Sequence, residues 1–152
     1  MRSIIETRNI RLKASAKDWE EAMRLSGQLL VDSGYIEEAY IEMTINTVKE
    51  MGPYIVIGPG LALSHSRPDA SVKRTGISLL TLDQGVDFGS ELGPVWVVIT
   101  LAAQDNNSHI DELQAIAGLC SDEINIKKIC EAKDVEKIAK MFNAFQERGK
   151  TC

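Results

Sequence analysis

The chain has 152 residues, of which 44% are hydrophobic and 26% charged, and its net charge is −5 at pH 7. This length predicts one domain that buries about two-thirds of its unfolded surface. The acidic balance argues against general nucleic-acid binding, which needs a basic face. No apolar run reaches the roughly 20 residues that cross a bilayer, and no signal-peptide core follows Met1. We therefore expect a cytoplasmic protein without direct membrane insertion.

The first predicted helix follows a segment over residues 9–14 that alternates apolar and polar side chains, a pattern typical of an edge strand. From residue 19 onward, apolar positions recur with helical spacing. Ser15 is the expected N-cap, with Asp18 three residues on in a capping-box arrangement. Gly34 is expected to end the helix as its C′ residue.

A strand-rich middle follows a second helix, which is predicted over residues 37–51 and stops at Gly52-Pro53. The segment over residues 83–94 is rich in turn residues and predicts a long surface excursion. Three strands are predicted, a buried one at 54–57, one at 75–82 and one at 95–102. After Gly58-Pro59-Gly60, a second short apolar run, Leu61-Ala62-Leu63, is a further strand candidate that leads to His65. The last of these, VWVVITLA, is β-branched and apolar, which indicates a central strand buried on both faces.

The C-terminal third is predicted to be helical. One helix begins at residues 108–111, Ser121 or Asp122 caps the next, and Asp134 begins the last. Because helices bracket the strand-rich middle, the sequence predicts a single α/β domain with a mixed sheet sandwiched between helical layers. Its core is expected between about residues 9 and 145.

The two histidines of the chain both follow predicted strands and lie in polar segments. His65 is flanked by Ser64, Ser66 and Arg67, and sites in open α/β sheets gather where loops leave strand ends. If Asn107 or Ser108 caps the following helix, His109 lies in its first turn. It is then beside unpaired backbone N–H groups and the positive end of the helix dipole, which favour an anion.

If both imidazoles face one pocket, His65 is a candidate nucleophile whose attacking nitrogen must be unprotonated. Covalent catalysis on histidine usually means a phosphoryl group. His109, the helix N–H groups and Arg67 could then hold the charge on the transferring oxygens, and such positioning supplies most of the catalysis of phosphoryl transfer.

Other interpretations stay open on these residues alone. A histidine in a loop is often only solvated, and Ser64 and Ser66 could satisfy turn backbone groups. A zinc site from His65, His109 and a carboxylate such as Asp105 or Asp69 is conceivable, but no metal-spacing motif supports it. The G-x-S-x-G motif of serine hydrolases is absent. The residues alone predict a histidine-centred site of undetermined type.

The three cysteines are Cys120, Cys130 and Cys152, an odd number without a CxxC motif. We interpret them as reduced structural thiols rather than metal ligands, and we expect no cofactor.

Two segments, GPYIVIGPGLALSHSRPDASVKRTGISLLTL and LAAQDNNSHIDELQAIAGL, resemble the enzyme IIA components of the bacterial sugar phosphotransferase system (PTS). The resemblance is to the fructose/mannitol superfamily, most closely its ascorbate-type branch, and covers nearly the whole chain. It implies that family's mixed sheet between helical layers. It also implies that His65 accepts a phosphoryl group from the histidine phosphocarrier protein HPr and passes it to an enzyme IIB component. His109 aligns with a second histidine that supports the transfer without being phosphorylated.

Three positions depart from the family's pattern. Ser64 stands where proline is common, and Ser66 stands where alanine or glycine is common. Some members place an arginine near the end of the preceding helix, where the nearest candidate here is Lys49, and the sequence leaves open whether Lys49 or Arg67 contacts the phosphoryl group. Ser64, Ser66, Arg67 and Ser108 are the residues expected to contact the phosphoryl group or a partner.

A phosphoryl shuttle needs a shallow site that a partner's active residue can reach. The expected apolar rim includes Ile57, Leu61, Leu63 and Val72, and the acidic net charge suits a partner with a basic docking surface. L-Ascorbate is the favoured transported substrate, and a homodimer is one assembly that the sequence leaves open. The alternatives are a regulatory, nitrogen-type IIA-like module that binds a target according to its phosphorylation, and a metal-dependent hydrolase.

Overall fold

The computed structural model describes residues 4–105, 107 and 109–150, with side chains described as far as residue 144. A short 3₁₀ turn, Thr7–Asn9, precedes the first strand. The strands are β1 (Ile10–Ala14), β2 (Val56–Gly58), β3 (Gly60–Ser64), β4 (Gly76–Val86) and β5 (Val95–Ala102). The helices are α1 (Trp19–Asp32), α2 (Glu38–Met51), α3 (Ile110–Cys120), α4 (Glu123–Glu131) and α5 (Val135–Lys150).

The strands of this described part form one mixed sheet with the order β1-β4-β5-β3-β2. The central strand β5 runs parallel to β3 and antiparallel to β4, while β1 is parallel to β4. Because β3 and β5 are parallel neighbours, their carboxyl ends lie at the same edge of the sheet. The segments that carry His65 and His109 both leave from this edge.

Helices cover both faces of the sheet, as the sequence predicted. One core contains residues of α1 and α2, such as Met23 and Ile45, packed with Val98 of β5. The other contains Ile99 of β5 together with Ile116 of α3 and residues of α4 and α5. Successive residues of β5 therefore enter different cores, which confirms the prediction of a central strand buried on both faces.

Two strand predictions need correction. The strand predicted as buried over residues 54–57 is the edge strand β2, which pairs only with β3, in an antiparallel hairpin. The burial of this segment is therefore partial: Ile55 and Val56 are buried, whereas Tyr54 is 39% exposed and Ile57 is 49% exposed. The predicted surface excursion begins later than expected, because β4 continues through Val86, and both Val86 and Phe88 are buried.

The N-cap predicted for α1 is wrong, whereas the residue predicted to end the helix is confirmed. The N-cap is Asp18, whose carboxylate accepts a hydrogen bond from the backbone N–H of Glu21 at 2.9 Å. The predicted cap, Ser15, instead donates to the Asp83 carboxylate of β4. Gly34 ends the helix as predicted, with φ of +83° and its N–H donated to the carbonyl of Val31.

Within the described residues, no helix combines the length and apolarity needed to cross a membrane. Cys120 and Cys130 are both free thiols, partly buried against the α3–α5 core.

Candidate functional site

A cleft of about 740 Å³ opens at the carboxyl ends of β3 and β5, and both histidines line it. One wall is the face of α2 that carries Asn46, Thr47 and Glu50, and the opposite wall is the beginning of α3. The parallel pairing of β3 and β5 therefore brings together two imidazoles that lie 44 positions apart in the chain.

The ring of His65 is half-buried and has one orientation-setting hydrogen bond. Its Nδ1 lies 3.0 Å from the carbonyl oxygen of Leu63, and because a carbonyl can only accept, Nδ1 carries the proton. In the neutral ring, Nε2 then keeps its lone pair. The edge of the ring also meets Tyr54, with the ring centroids 6.0 Å apart and the planes at 76°.

The carbonyl that orients His65 is itself held by the sheet. Leu63 pairs in register with Ile99 of β5, and its N–H donates to the carbonyl of Ile55 at 2.8 Å. The tautomer of His65 is therefore set by the backbone of β3.

The segment after His65 is tied to α2. The backbone N–H of Ser66 donates to the hydroxyl of Tyr40 at 3.0 Å, and that hydroxyl donates to the carbonyl of Leu101 at 2.9 Å. Ser66 lines the cleft, but its backbone N–H is committed to Tyr40 and is not free for a phosphoryl oxygen.

His109 is itself the N-cap of α3, so the condition that Asn107 or Ser108 caps the helix is not met and His109 precedes the first turn. Its carbonyl accepts from the N–H of Leu113 at 3.0 Å, while its side chain makes no cap hydrogen bond. The Nδ1 atom of His109 is buried and has no hydrogen-bond partner among the described residues. A ring nitrogen without an acceptor is better placed as the lone-pair nitrogen, which puts the proton on Nε2 and makes that atom a donor.

The positive end of the α3 dipole is partly compensated from within the helix. Asp111 and Glu112 both lie in the first turn, and Glu112 is buried. Their carboxylates compete with an external anion for this end of the helix. The binding of an anion in the cleft therefore depends more on side-chain hydrogen-bond donors, and less on the helix dipole, than the sequence predicted.

The residues predicted to contact the phosphoryl group or a partner do not all lie at the cleft. Arg67 is exposed and lines the cleft together with Ser66. Ser64 does not face the cleft, because it is 1% exposed and, like Ala62, points to the opposite face of the sheet from Leu63. Ser108 lies outside the described residues. Lys49 is turned away from the cleft and forms an ion pair with Glu20 of α1 at 3.2 Å.

The predicted apolar rim is only partly correct. Leu63 lines the cleft, whereas Ile57 is exposed on β2 near the turn into β3 and does not line it. Leu61 and Val72 are buried in the two cores and cannot form a rim. The sequence around these residues gave no indication of which side chains face outward.

The wall formed by α2 was missed by the sequence reasoning. One face of α2 carries Tyr40 and Met43 and, one to three turns later along the helix, the polar residues Asn46, Thr47 and Glu50. The available signal was the appearance of polar residues along an otherwise apolar helical stripe, just before the strand that leads to His65.

The described residues contain no group of three His, Cys, Asp or Glu side chains placed to hold a metal ion. The zinc interpretation therefore finds no ligand set in this part of the chain.

Known proteins share this sequence and architecture. The family model for the phosphoenolpyruvate-dependent sugar phosphotransferase system, EIIA 2, matches residues 3–145. The ascorbate-specific PTS system EIIA component of Escherichia coli strain K12 is 36% identical over 143 residues, which are 93% of each chain.

Two solved structures superpose over most of their lengths. The mannitol-specific cryptic phosphotransferase enzyme IIA CmtB from Escherichia coli has a TM-score of 0.82 at 34% identity, over 93% of this chain and 96% of that one. The enzyme IIA of the complex of IIA-mannitol with phosphorylated IIB-mannitol, also from Escherichia coli, has a TM-score of 0.80 at 28% identity, over 92% and 97%. Sequence and fold agree: the chain belongs to the EIIA type 2 family and is a phosphocarrier component of a sugar phosphotransferase system.

Proposed function

We propose that this chain carries a phosphoryl group on Nε2 of His65, which it accepts from HPr and passes to an enzyme IIB component. The observation that carries the proposal is the hydrogen bond from His65 Nδ1 to the Leu63 carbonyl at 3.0 Å. It leaves the Nε2 lone pair available for attack, in a cleft that a second histidine also lines.

The same hydrogen bond supports the charge balance of the transfer. The N–P bond of the phosphorylated donor breaks while a bond forms between phosphorus and His65 Nε2, and the donor's imidazole is the leaving group. Because Nδ1 keeps its proton, the His65 ring becomes positive as it takes up the phosphoryl group. The negative end of the Leu63 carbonyl dipole stabilises that charge, and the reverse step returns the neutral ring.

Two other residues that line the cleft can balance the charge on the phosphoryl oxygens. His109, at the beginning of α3, offers Nε2–H as a donor, and the guanidinium of Arg67 supplies a positive charge on the segment that follows His65. Phosphoryl transfer is accelerated chiefly by such positioning and electrostatics.

The surroundings of the cleft favour a protein as the phosphoryl donor and acceptor. Met51, Tyr54 and Ile57 are large apolar side chains that are exposed between the end of α2 and β2. Tyr54 also lines the cleft, and exposed apolar side chains near an open cleft are typical of a protein docking site. The structural relative from Escherichia coli that forms a complex with phosphorylated IIB supports a IIB component as the partner. The ascorbate-specific relatives favour L-ascorbate as the substrate whose uptake this chain supports, and the bacterial cytoplasm as its compartment.

Labelling with phosphoenolpyruvate, enzyme I and HPr tests the proposal. The unmodified chain should incorporate one phosphoryl group, and His65→Ala should incorporate none. His109→Ala is the matched control, since it removes the other imidazole of the cleft: it should reach the same stoichiometry more slowly. Full labelling of His65→Ala would overturn the proposal.

Transfer onto IIB components tests the finer assignment. The phosphorylated chain should pass its label faster to an ascorbate-type IIB than to a mannitol-type IIB. The reverse preference would refute the ascorbate assignment. Phosphorylation without transfer to either IIB would instead support the regulatory alternative.

A further inference from the structure

Tyr40 is almost completely buried, with 1% of its surface exposed, yet its hydroxyl group joins two backbone segments at the edge of the site. It accepts a hydrogen bond from the N–H of Ser66 at 3.0 Å and donates one to the carbonyl of Leu101 at 2.9 Å. The carbonyl of Ser66 is a second, longer contact at 3.3 Å.

These contacts lie just beyond the last paired residues of β3 and β5. The last paired residues of β3 and β5 are Ser64 and Thr100, and His65 is the next residue. Beyond that pair, the phenol oxygen of Tyr40 links the segment after β3 to the end of β5. The imidazole of His65 therefore lies between two fixed points, the Leu63 carbonyl before it and the Ser66 N–H after it.

We propose that Tyr40 is a positioning residue for phosphoryl transfer, because its hydroxyl fixes the backbone on which the His65 ring is oriented. The proposal rests on the proposed function of His65. Tyr40 does not reach the phosphoryl group, and it acts through the backbone of Ser66.

The properties of the phenol suit this role. Burial raises the pKa of Tyr40 to about 12, so the hydroxyl keeps its proton and can donate to Leu101 at any physiological pH. The ring packs in the α1–α2 core, where it supports the same helix that forms the cleft wall. Replacement by phenylalanine keeps this packing and removes only the oxygen, which leaves the Ser66 N–H and the Leu101 carbonyl without that partner.

Tyr40→Phe and Tyr35→Phe form a matched pair of variants. The Tyr35 hydroxyl donates to Glu6 in a separate pocket beside the start of β4. With HPr at saturation, we expect Tyr40→Phe to slow phosphorylation of His65 by about 10- to 100-fold, since small misplacements of reacting groups cost about this much. The KM for phosphorylated HPr should stay near the wild-type value, and Tyr35→Phe should transfer at the wild-type rate. An unchanged maximal rate in Tyr40→Phe, or an effect on KM alone, would overturn the proposal.

A spectroscopic measurement separates this proposal from the proposed function. The ¹⁵N chemical shifts of the His65 ring should show one tautomer, protonated at Nδ1, in the unmodified chain and in Tyr35→Phe. In folded Tyr40→Phe, the shifts should move toward the average of two tautomers, and an unaltered ring spectrum would contradict the proposal. This measurement needs no HPr, so it decides the role of Tyr40 even if the unmodified chain accepts no phosphoryl group.

If Tyr40→Phe does not fold, amide hydrogen exchange in the unmodified chain provides the test. The Ser66 N–H should exchange slowly, together with the amides of β5. Exchange at the rate of an open loop would show that Tyr40 does not hold this segment and would overturn the proposal.

Discussion

Substitutions of His109 separate its proposed role in transfer from its place as a helix cap. His109→Ala removes the imidazole, and with it the proposed Nε2–H donor, from the lining of the cleft. Removing one positioned donor to a developing oxyanion costs about 10²- to 10³-fold in rate, or about 2.7–4 kcal/mol. The cost in folding should be small, below about 1 kcal/mol, because the side chain makes no cap hydrogen bond and its buried Nδ1 has no partner to lose.

Two further variants distinguish the role of His109 in transfer from its role as a helix cap. In His109→Gln, the amide nitrogen reaches about as far as the imidazole Nε2, so part of the transfer rate should remain. In His109→Asn, the amide is too short to replace Nε2, but asparagine is a preferred N-cap and should raise the free energy of unfolding by about 0.5–1 kcal/mol. Transfer rates should therefore rank wild type, Gln, then Asn and Ala, whereas Asn should be the most stable of the three variants.

Rapid-quench measurement of His65 phosphorylation and urea unfolding provide the two rankings. Equal rates for His109→Gln and His109→Ala would show that the imidazole is not a donor to the phosphoryl group. A loss of more than about 2 kcal/mol in His109→Ala, with normal transfer in the folded fraction, would make His109 a structural residue.

Three other predictions follow from the fold. Asp18→Ala should lower the free energy of unfolding by about 1 kcal/mol without changing transfer, whereas Ser15→Ala should change it less; urea titrations compare the two. Gly76→Ala should cost about 1–3 kcal/mol in the same assay, because a Cβ there meets the Tyr35 ring at 2.5 Å. Burial raises the pKa of the Cys120 thiol to about 12, so mass spectrometry should find it unmodified by iodoacetamide at pH 8 until urea unfolds the chain.

The sequence predicted the parts of the fold whose signal is strong over a whole segment. The bounds of β5 follow from an uninterrupted β-branched run, and the end of α1 follows from a glycine that can adopt positive φ. The pairing partners of each strand were not predictable, because they depend on contacts between segments distant in the chain. For this reason β2 was expected to be buried although it lies at the edge of the sheet.

The same distinction applies to the site. The position of each histidine after a predicted strand indicated the edge where both would lie, and the parallel pairing of β3 with β5 brings them into one cleft. The direction in which an individual side chain points was not predictable, because it depends on the register of its strand or helix. Ser64 is the last residue of β3 and alternates away from the cleft, whereas Asn46 and Glu50 turn toward it from α2.

The capping residue of α3 shows a third limit. His109 occupies the N-cap position, although its imidazole makes no cap hydrogen bond and a preferred cap residue, Asn107, precedes it. Propensity alone favoured the asparagine, but α3 begins at Ile110, and the tertiary contacts of a helix can outweigh the preference for a cap residue. Local preferences of about 1 kcal/mol are readily overridden by such tertiary constraints.

The most direct test of the account is to identify the atom that carries the phosphoryl group. The chain, labelled with ¹⁵N in histidine, would be phosphorylated from phosphoenolpyruvate through enzyme I and HPr and examined by ¹⁵N NMR. The account predicts one phosphorylated ring, that of His65, with phosphorus on Nε2 and the proton retained on Nδ1 toward the Leu63 carbonyl. Phosphorus on Nδ1 of His65, or on either nitrogen of His109, would contradict it.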